Sequence, residues 1–270
     1  MAELRTLLAG TAAAPFLEEG SEKQFAGTRS TASDAVAGMG YVADGPGGEP
    51  FSIREWARSD KPGGLFMPYQ ADQIATLSGL IAAWLRLAMY ATMSRGEGDS
   101  HTWFVVDELD ALGKINDLPS GMVRLRKFGG RCVLGLQSIG PLSDIYGRGM
   151  AAALIENAGN KLILRCSASE GGGTAAFASQ LIGKRDVWRA SSNTGESSSA
   201  HIKGSTRGRS SGVTWSIVTE DAVTAAEIEA LPDLTGYLKS PSVKGWAKLS
   251  FEYDGLPMLH PAFVPWEVKD

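Results

Sequence analysis

The run Trp103-Phe104-Val105-Val106 passes directly into Asp107-Glu108. Four apolar residues in a row suit a strand buried in a parallel sheet, and the acids then stand where that strand leaves the core. Acids in that position have two readings. They end the strand and cap the next turn, or they deliver carboxylates to a nucleotide-bound magnesium ion. In the second reading the first acid orders the metal and the next polarises the attacking water.

The second reading requires a phosphate-binding loop. No G-x-x-x-x-G-K-[ST] occurs in the sequence. The nearest imitation, Ile182-Gly183-Lys184-Arg185, lacks both the first glycine and the hydroxyl. The chain therefore reads as the later half of a motor ATPase whose phosphate loop lies elsewhere.

The residues after the acids support that reading. Leu118 to Phe128 is a helical stretch carrying Arg124, Arg126 and Lys127, and Cys132 to Leu136 is a second short apolar strand ending in Gln137-Ser138. Strand, acids, basic helix, strand, polar Gln-Ser is the order expected where strand C-termini line a nucleotide crevice. A Gln there can sense the γ-phosphate or hold the water. An arginine on the helix can serve a neighbouring subunit's nucleotide, or simply belong to a solvated face.

Several segments resemble one family. They are Leu-Leu-Ala-Gly-Thr-Ala (7–12), Gly-Ser-Glu-Lys (20–23), Val-Val-Asp-Glu-Leu-Asp-Ala-Leu-Gly-Lys-Ile (105–115), Leu-Gly-Leu-Gln-Ser-Ile (134–139) and Ile-Tyr-Gly (145–147). The likeness continues through Glu156 to Asn160 and Ile228 to Gly236, covering nearly the whole chain. It is to the type IV secretion coupling proteins, the TraD-like ATPases of bacterial conjugation. The resemblance implies a RecA-like, DNA-dependent ATPase that uses ATP and Mg²⁺ and works as a homo-hexamer. It also implies a place at the bacterial inner membrane, on the cytoplasmic side. The implied partners are single-stranded DNA, the relaxase with its relaxosome, and the secretion channel proteins. Residue by residue, Asp107 and Glu108 match the Walker B acids, Asp107 being the one on the metal. Gln137 matches the polar sensor. Arg126, in Arg-Lys-x-Gly-Gly-Arg (126–131), matches the arginine offered in trans, with Arg131 as second choice. The family's membrane helices, Walker A strand and most of its all-α insertion would precede the residue matching Met1.

Composition sets limits. The 270 residues, 43% apolar, can form one large α/β domain or two smaller ones. A net charge of −4 is too mild to name nucleic acid as a partner from bulk electrostatics. Locally, Lys184 to Arg209 holds six Lys/Arg against Asp186 and Glu196, a formal +4, in a stretch dense in Ser, Gly, Thr and Asn. That composition predicts a flexible loop, either merely solvated or tracking a phosphate backbone. Cys132 and Cys166 lie in apolar runs and read as buried, reduced thiols. His101, His201 and His260 have no metal-ligand spacing. Gly171-Gly172-Gly173, with no Lys-Ser/Thr after it, reads as a helix entrance.

Ile74 to Met93 has the length of a bilayer span, but Arg86 interrupts it. Helical periodicity places Leu77, Leu80, Ile81, Trp84, Leu85 and Ala88 on one face with Arg86 on another, which predicts a core helix. Elsewhere the sequence predicts helices at 2–9, 28–39, 51–58, 151–158, 174–181 and one ending near Leu231. It predicts short strands at 64–68 and at 162–166, the latter a third central strand. A closing hairpin is expected from Tyr237-Lys239 and Gly245–Tyr253. The expected class is α/β, an incomplete RecA-like core with a mostly parallel sheet spanning 41–270. Residues 1–40 are expected to be a helical remnant of the all-α insertion. Two other functions compete with the coupling ATPase. One is a truncated, non-catalytic DNA-binding or interaction module of the same fold. The other is a translocase of the FtsK or HerA kind.

Overall fold

The computed structural model describes residues 2–11, 14–17, 22–41, 51–59, 61–96, 101–168, 173–201 and 204–257. Gly171, Gly172 and His260 lie outside the described residues. The chain divides into two compact units, one of residues 1–137 with 141–157, the other of residues 138–140 with 158–270.

In the first unit the helices are α1 (Ala2–Leu8), α2 (Glu22–Val36), α3 (Ile53–Arg58) and α4 (Ile74–Met93). Strand β1 (Thr102–Val106), α5 (Leu118–Leu125), β2 (Gly130–Leu134), most of α6 (Ile139–Tyr146) and α7 (Arg148–Asn157) come next. Ser52 starts α3 by accepting the Glu55 N–H at 3.2 Å, satisfying one of the donors a helix leaves free at its N-terminus. Helix α4 is the longest, consistent with its Ala, Leu and Met content. It is long and apolar enough to cross a membrane. Here it packs against α3, α5 and the 3-10 turn Asp110–Leu112. Its buried side is Ile81, Ala82, Leu85, Ala88, Met89, Ala91 and Thr92, while Leu77, Leu80 and Trp84 are only half-buried. The apolar face is thus turned slightly from the predicted one. Arg86 stays off it and reaches Asp117 at 3.7 Å.

Strands β1 and β2 are parallel, in register from Thr102 opposite Gly130 to Val106 opposite Leu134. Phe104 and Val106 are buried, but Trp103 and Val105 are 62% and 69% exposed, and Val133 is exposed beside them. The strand expected to be buried on both faces is covered on one face only. The core under it is Leu109, Leu112, Ile115, Leu118, Leu125, Leu142, Tyr146 and Leu154.

The second unit holds β3 (Lys161–Ile163), α8 (Gly173–Ile182), β4 (Lys184–His201), β5 (Gly204–Asp221), α9 (Ala225–Glu229), β6 (Thr235–Lys239) and β7 (Trp246–Ser250). Strands β3, β6 and β7 make an antiparallel sheet in that order, so the closing hairpin forms as predicted. Ala175, Ala178, Val223, Ile228 and Leu231 form its core, with Ile163, Cys166 and Tyr237 against it. Thr224 and Glu227 make a capping box on α9, and Ser179 donates to the Val223 carbonyl at 2.6 Å.

Four expectations are corrected. Residues 162–166 are not a third central parallel strand. Only Lys161–Ile163 is strand, and it pairs antiparallel with β6. The apolar run signals strand character but not the partner. Among the described residues the mostly parallel sheet shrinks to the β1–β2 pair, the other ladders being antiparallel. Residues 64–68 are extended without a ladder partner, so no strand forms there. The Lys184 to Arg209 stretch is not a flexible loop: it is β4 and the start of β5, two 18-residue strands in one continuous antiparallel ribbon. Ser, Gly and Asn mislead there because backbone pairing between the two strands satisfies what composition alone leaves to solvent.

Candidate nucleotide-facing strand ends

Because β1 and β2 run parallel, their C-termini emerge at the same end of the pair, one leading to Asp107-Glu108 and the other to Gln137. The junction is tight. Gly135 N–H donates to the Val106 carbonyl at 2.7 Å, and Leu109 N–H donates to the Gly135 carbonyl at 3.1 Å. A Cβ on Gly135 would lie 1.9 Å from the Asp107 carbonyl oxygen, so only glycine fits. Gly135→Ala is expected to lower stability by about 3 kcal/mol or more, since backbone cannot yield as a rotamer does. Urea unfolding checks this, and an unchanged midpoint would remove the close approach from the account.

Within this frame the Gln137 amide donates to the Glu108 carboxylate, Nε2 to Oε1 at 2.5 Å. The two residues are 29 apart in sequence. Glu108 is half-buried, and Asp107 and Gln137 are exposed. The loop after the acids is pinned from below. Ile115 N–H donates to the buried Tyr146 hydroxyl at 3.0 Å, and that hydroxyl donates to the Gly113 carbonyl at 3.4 Å. Burial raises the Tyr146 pKa, and the Ile115 N–H partly opposes the shift. Tyr146, after the second strand, thus anchors the acid loop.

Tyr69 is a residue the motifs do not single out. Its pKa is raised by burial first, then by the charges of Glu108, Asp107 and Asp110. Its hydroxyl therefore shares the field of the acid cluster. No signal short of tertiary structure could find it, since Pro68-Tyr69 lies in a segment without regular structure.

The basic helix resolves into separate settings. Arg124 lines a shallow cleft with Arg86, Tyr90, Asn116 and Asp117. Arg126 lies just past α5 on the 3-10 turn Arg126–Phe128 and is exposed, as is Lys127. The chain then turns at Gly129 with φ +75° into β2. Arg131 is half-buried and bonds the neighbouring Gly130 carbonyl, which leaves it less free than Arg126.

Among the described residues, no group of three or more His, Cys, Asp or Glu is arranged to cage a metal ion. The donor chemistry here fits magnesium held another way, by one or two carboxylates together with substrate phosphates. Asp107 is exposed at the strand end and suits that role. Cys132 and Cys166 are free thiols, and burial pushes Cys132 up to about 11.

Comparison with known proteins places these features in context. A family model described as the type IV secretion-system coupling protein DNA-binding domain matches residues 1–252. The coupling protein TraD of Escherichia coli (strain K12) is 32% identical over 273 residues, which is 99% of this chain and 37% of TraD. The solved bacterial conjugative coupling protein TrwB, in its unbound TrwBdeltaN70 form, is 28% identical with a TM-score of 0.76, over 98% of this chain and 58% of that one. TrwB in complex with ADP and Mg²⁺ matches at 28% identity with a TM-score of 0.75, over 98% of this chain and 57% of that one. TrwB with the non-hydrolysable ATP analogue ADPNP gives 0.77 at the same identity and coverage. This chain spans well under two thirds of the length of each relative.

Proposed function

The chain belongs to the type IV secretion-system coupling proteins, and from that premise we propose that it is the acid-bearing part of a DNA-transfer ATPase. Its phosphate loop would be supplied from outside these 270 residues, and strand ends like these belong to a RecA-like core. The hydrogen bond between Gln137 and Glu108 across two parallel strand ends carries the reading. It holds a carboxylate and an amide together at the one end of the sheet where a nucleotide would be read.

In this reading Asp107 is the magnesium ligand, and the ion, when bound, neutralises developing phosphate charge. Glu108 takes a proton from the attacking water as general base. Gln137 fixes the Glu108 carboxylate and is placed to exchange that bond for one to the γ-phosphate. Arg126, exposed beyond α5, serves the nucleotide of a neighbouring subunit in a homo-hexamer. The nucleotide named for TrwB supports ATP and magnesium as the ligands. The work done would be delivery of relaxase-bound single-stranded DNA to the secretion channel at the inner membrane. Residues 1–40 would be the helical remnant of the family's insertion.

The second reading, a non-catalytic DNA-binding module of the same fold, is favoured by one observation, the missing phosphate loop. The purified 270-residue chain tests whether the phosphate site lies outside it. Without that loop most phosphate contacts and the lysine charge are absent, so we expect feeble ATP binding and no measurable hydrolysis, with or without single-stranded DNA. Turnover by this chain alone, abolished by Glu108→Gln, would mean the phosphate site is built here after all.

A further inference from the structure

The β4–β5 ribbon has two unlike faces. Its register sets Trp188 opposite Ile217, Ala190 opposite Trp215 and Ser192 opposite Val213. Side chains alternate along each strand, so these six residues share one face. The four large ones, Trp188, Val213, Trp215 and Ile217, are all more than half exposed. Among the described residues no third strand joins the ribbon, and a two-stranded sheet with both faces in water is marginal. The apolar face calls for a cover.

We propose that the cover is a second copy of the chain, its ribbon packed face to face on this one about a two-fold axis running along the ribbon. Such an axis lays β4 of each copy over β5 of the other. Every residue of the face then meets its own cross-strand partner, contributed by the second copy. Size matches under that rule. Trp215 of one copy sits over Ala190 of the other, and Val213 over Ser192, a large side chain over a small one each time. Sheets packed about 10 Å apart need that interdigitation.

Charge matches by the same rule. On this face Lys184 lies opposite Asp221 and Glu196 opposite Arg209, one pair on each side of the apolar middle. Both are ion pairs within the chain, at 3.8 and 2.9 Å. Two-fold stacking therefore also sets each cation over the matching anion of the second copy. The self-complementarity belongs to the register rather than to any single residue. Nucleic acid is the less suited occupant. Lys184 and Arg209 on this face are outnumbered by Asp186, Glu196 and Asp221, while Arg185 and Arg189 fall on the other face. A phosphate backbone gains nothing from such a surface.

Area sets the strength. Each face offers on the order of 500 Å² of apolar side chain, so the pair buries about 1,000 Å², the size of a weak, reversible contact. The contact is isologous, whereas a ring in which Arg126 serves a neighbour is built from heterologous ones. It goes beyond the nucleotide reading and stands without it.

Sedimentation of the 270-residue chain from about 1 to 200 µM tests this, with a dimer expected to dissociate on the order of 10 µM. Trp215→Ala should weaken the dimer about tenfold. Ala190→Trp is the sharper variant. It adds apolar surface but fills the place that Trp215 of the second copy takes, so the dimer should again weaken about tenfold. Both positions are exposed, so circular dichroism should be unchanged. Glu196→Lys and Arg209→Glu should each weaken self-association about fivefold, and a mixture of the two chains should pair one kind with the other. A chain that stays monomeric throughout, or a dimer indifferent to Trp215→Ala, overturns the proposal. A dimer that Ala190→Trp strengthens does so too, because a merely sticky face gains from any added apolar surface. Failure of the mixed chains to pair removes the two-fold axis and the proposal with it. A monomeric chain that binds oligothymidylate and loses it in Trp188→Ala and Trp215→Ala gives the face to nucleic acid instead.

Discussion

Glu108→Gln, in a coupling protein that joins a phosphate loop to this chain, is expected to stop ATP hydrolysis while leaving ATP bound. The substitution keeps the shape of the side chain and the oxygen that accepts from Gln137 Nε2. It removes the negative charge and the capacity to take a proton from water. General-base catalysis contributes about 10²–10⁴-fold, so a loss of that order in turnover with little change in nucleotide affinity is the predicted signature. Asp107→Asn should behave differently and weaken the magnesium-dependent part of binding. Filter binding of ATP beside steady-state phosphate release measures both. Normal hydrolysis in the two variants would leave this acid pair as the cap of a strand.

Arg126→Ala should spare ATP binding by a monomer and abolish DNA-stimulated hydrolysis, by a factor of about 10³ or more, because an arginine acting in trans matters only where subunits meet. Its exposed position past the end of α5 leaves the guanidinium free to be offered outward. An arginine that merely tracks phosphate would behave otherwise: its loss would flatten the salt dependence of DNA binding by roughly one unit of slope and leave basal hydrolysis alone. Rings mixed from Arg126→Ala and Glu108→Gln subunits decide the matter, since some interfaces then pair an intact acid with an intact arginine. Partial recovery of ATPase activity is expected. No recovery, in rings shown to be mixed, returns Arg126 to a solvated surface.

The parts of this fold that announce themselves in the sequence are those whose pattern is local. The apolar run before Asp107 is β1, the apolar periodicity of Ile74–Met93 is α4, and the Ser52 cap is α3. Even the meeting of Glu108 with Gln137 agrees with order along the chain, once both strands are taken as parallel. The features that stay hidden depend on partners distant in sequence. Ile163 pairs with Tyr237, and Lys184 with Asp221, and no property of either member alone names the other. The ribbon escapes a reading by composition because Ser and Gly dominate its strands, although Trp188, Ala190, Val213, Trp215 and Ile217 alternate with polar residues at a strand's period of two. Tyr69 is invisible for the same reason as the strand partners: its tie to the acids is through space.

The missing side chain at Gly135 has a mechanical meaning. With the Asp107 carbonyl seated where a Cβ would be, and hydrogen bonds crossing in both directions at Val106 and Leu109, the two strand ends are welded into one piece. A tug on Gln137 is then felt at Glu108 through backbone as well as through their side-chain bond, with no loop in between to absorb it. Gln137 and Glu108 would travel as a single jaw.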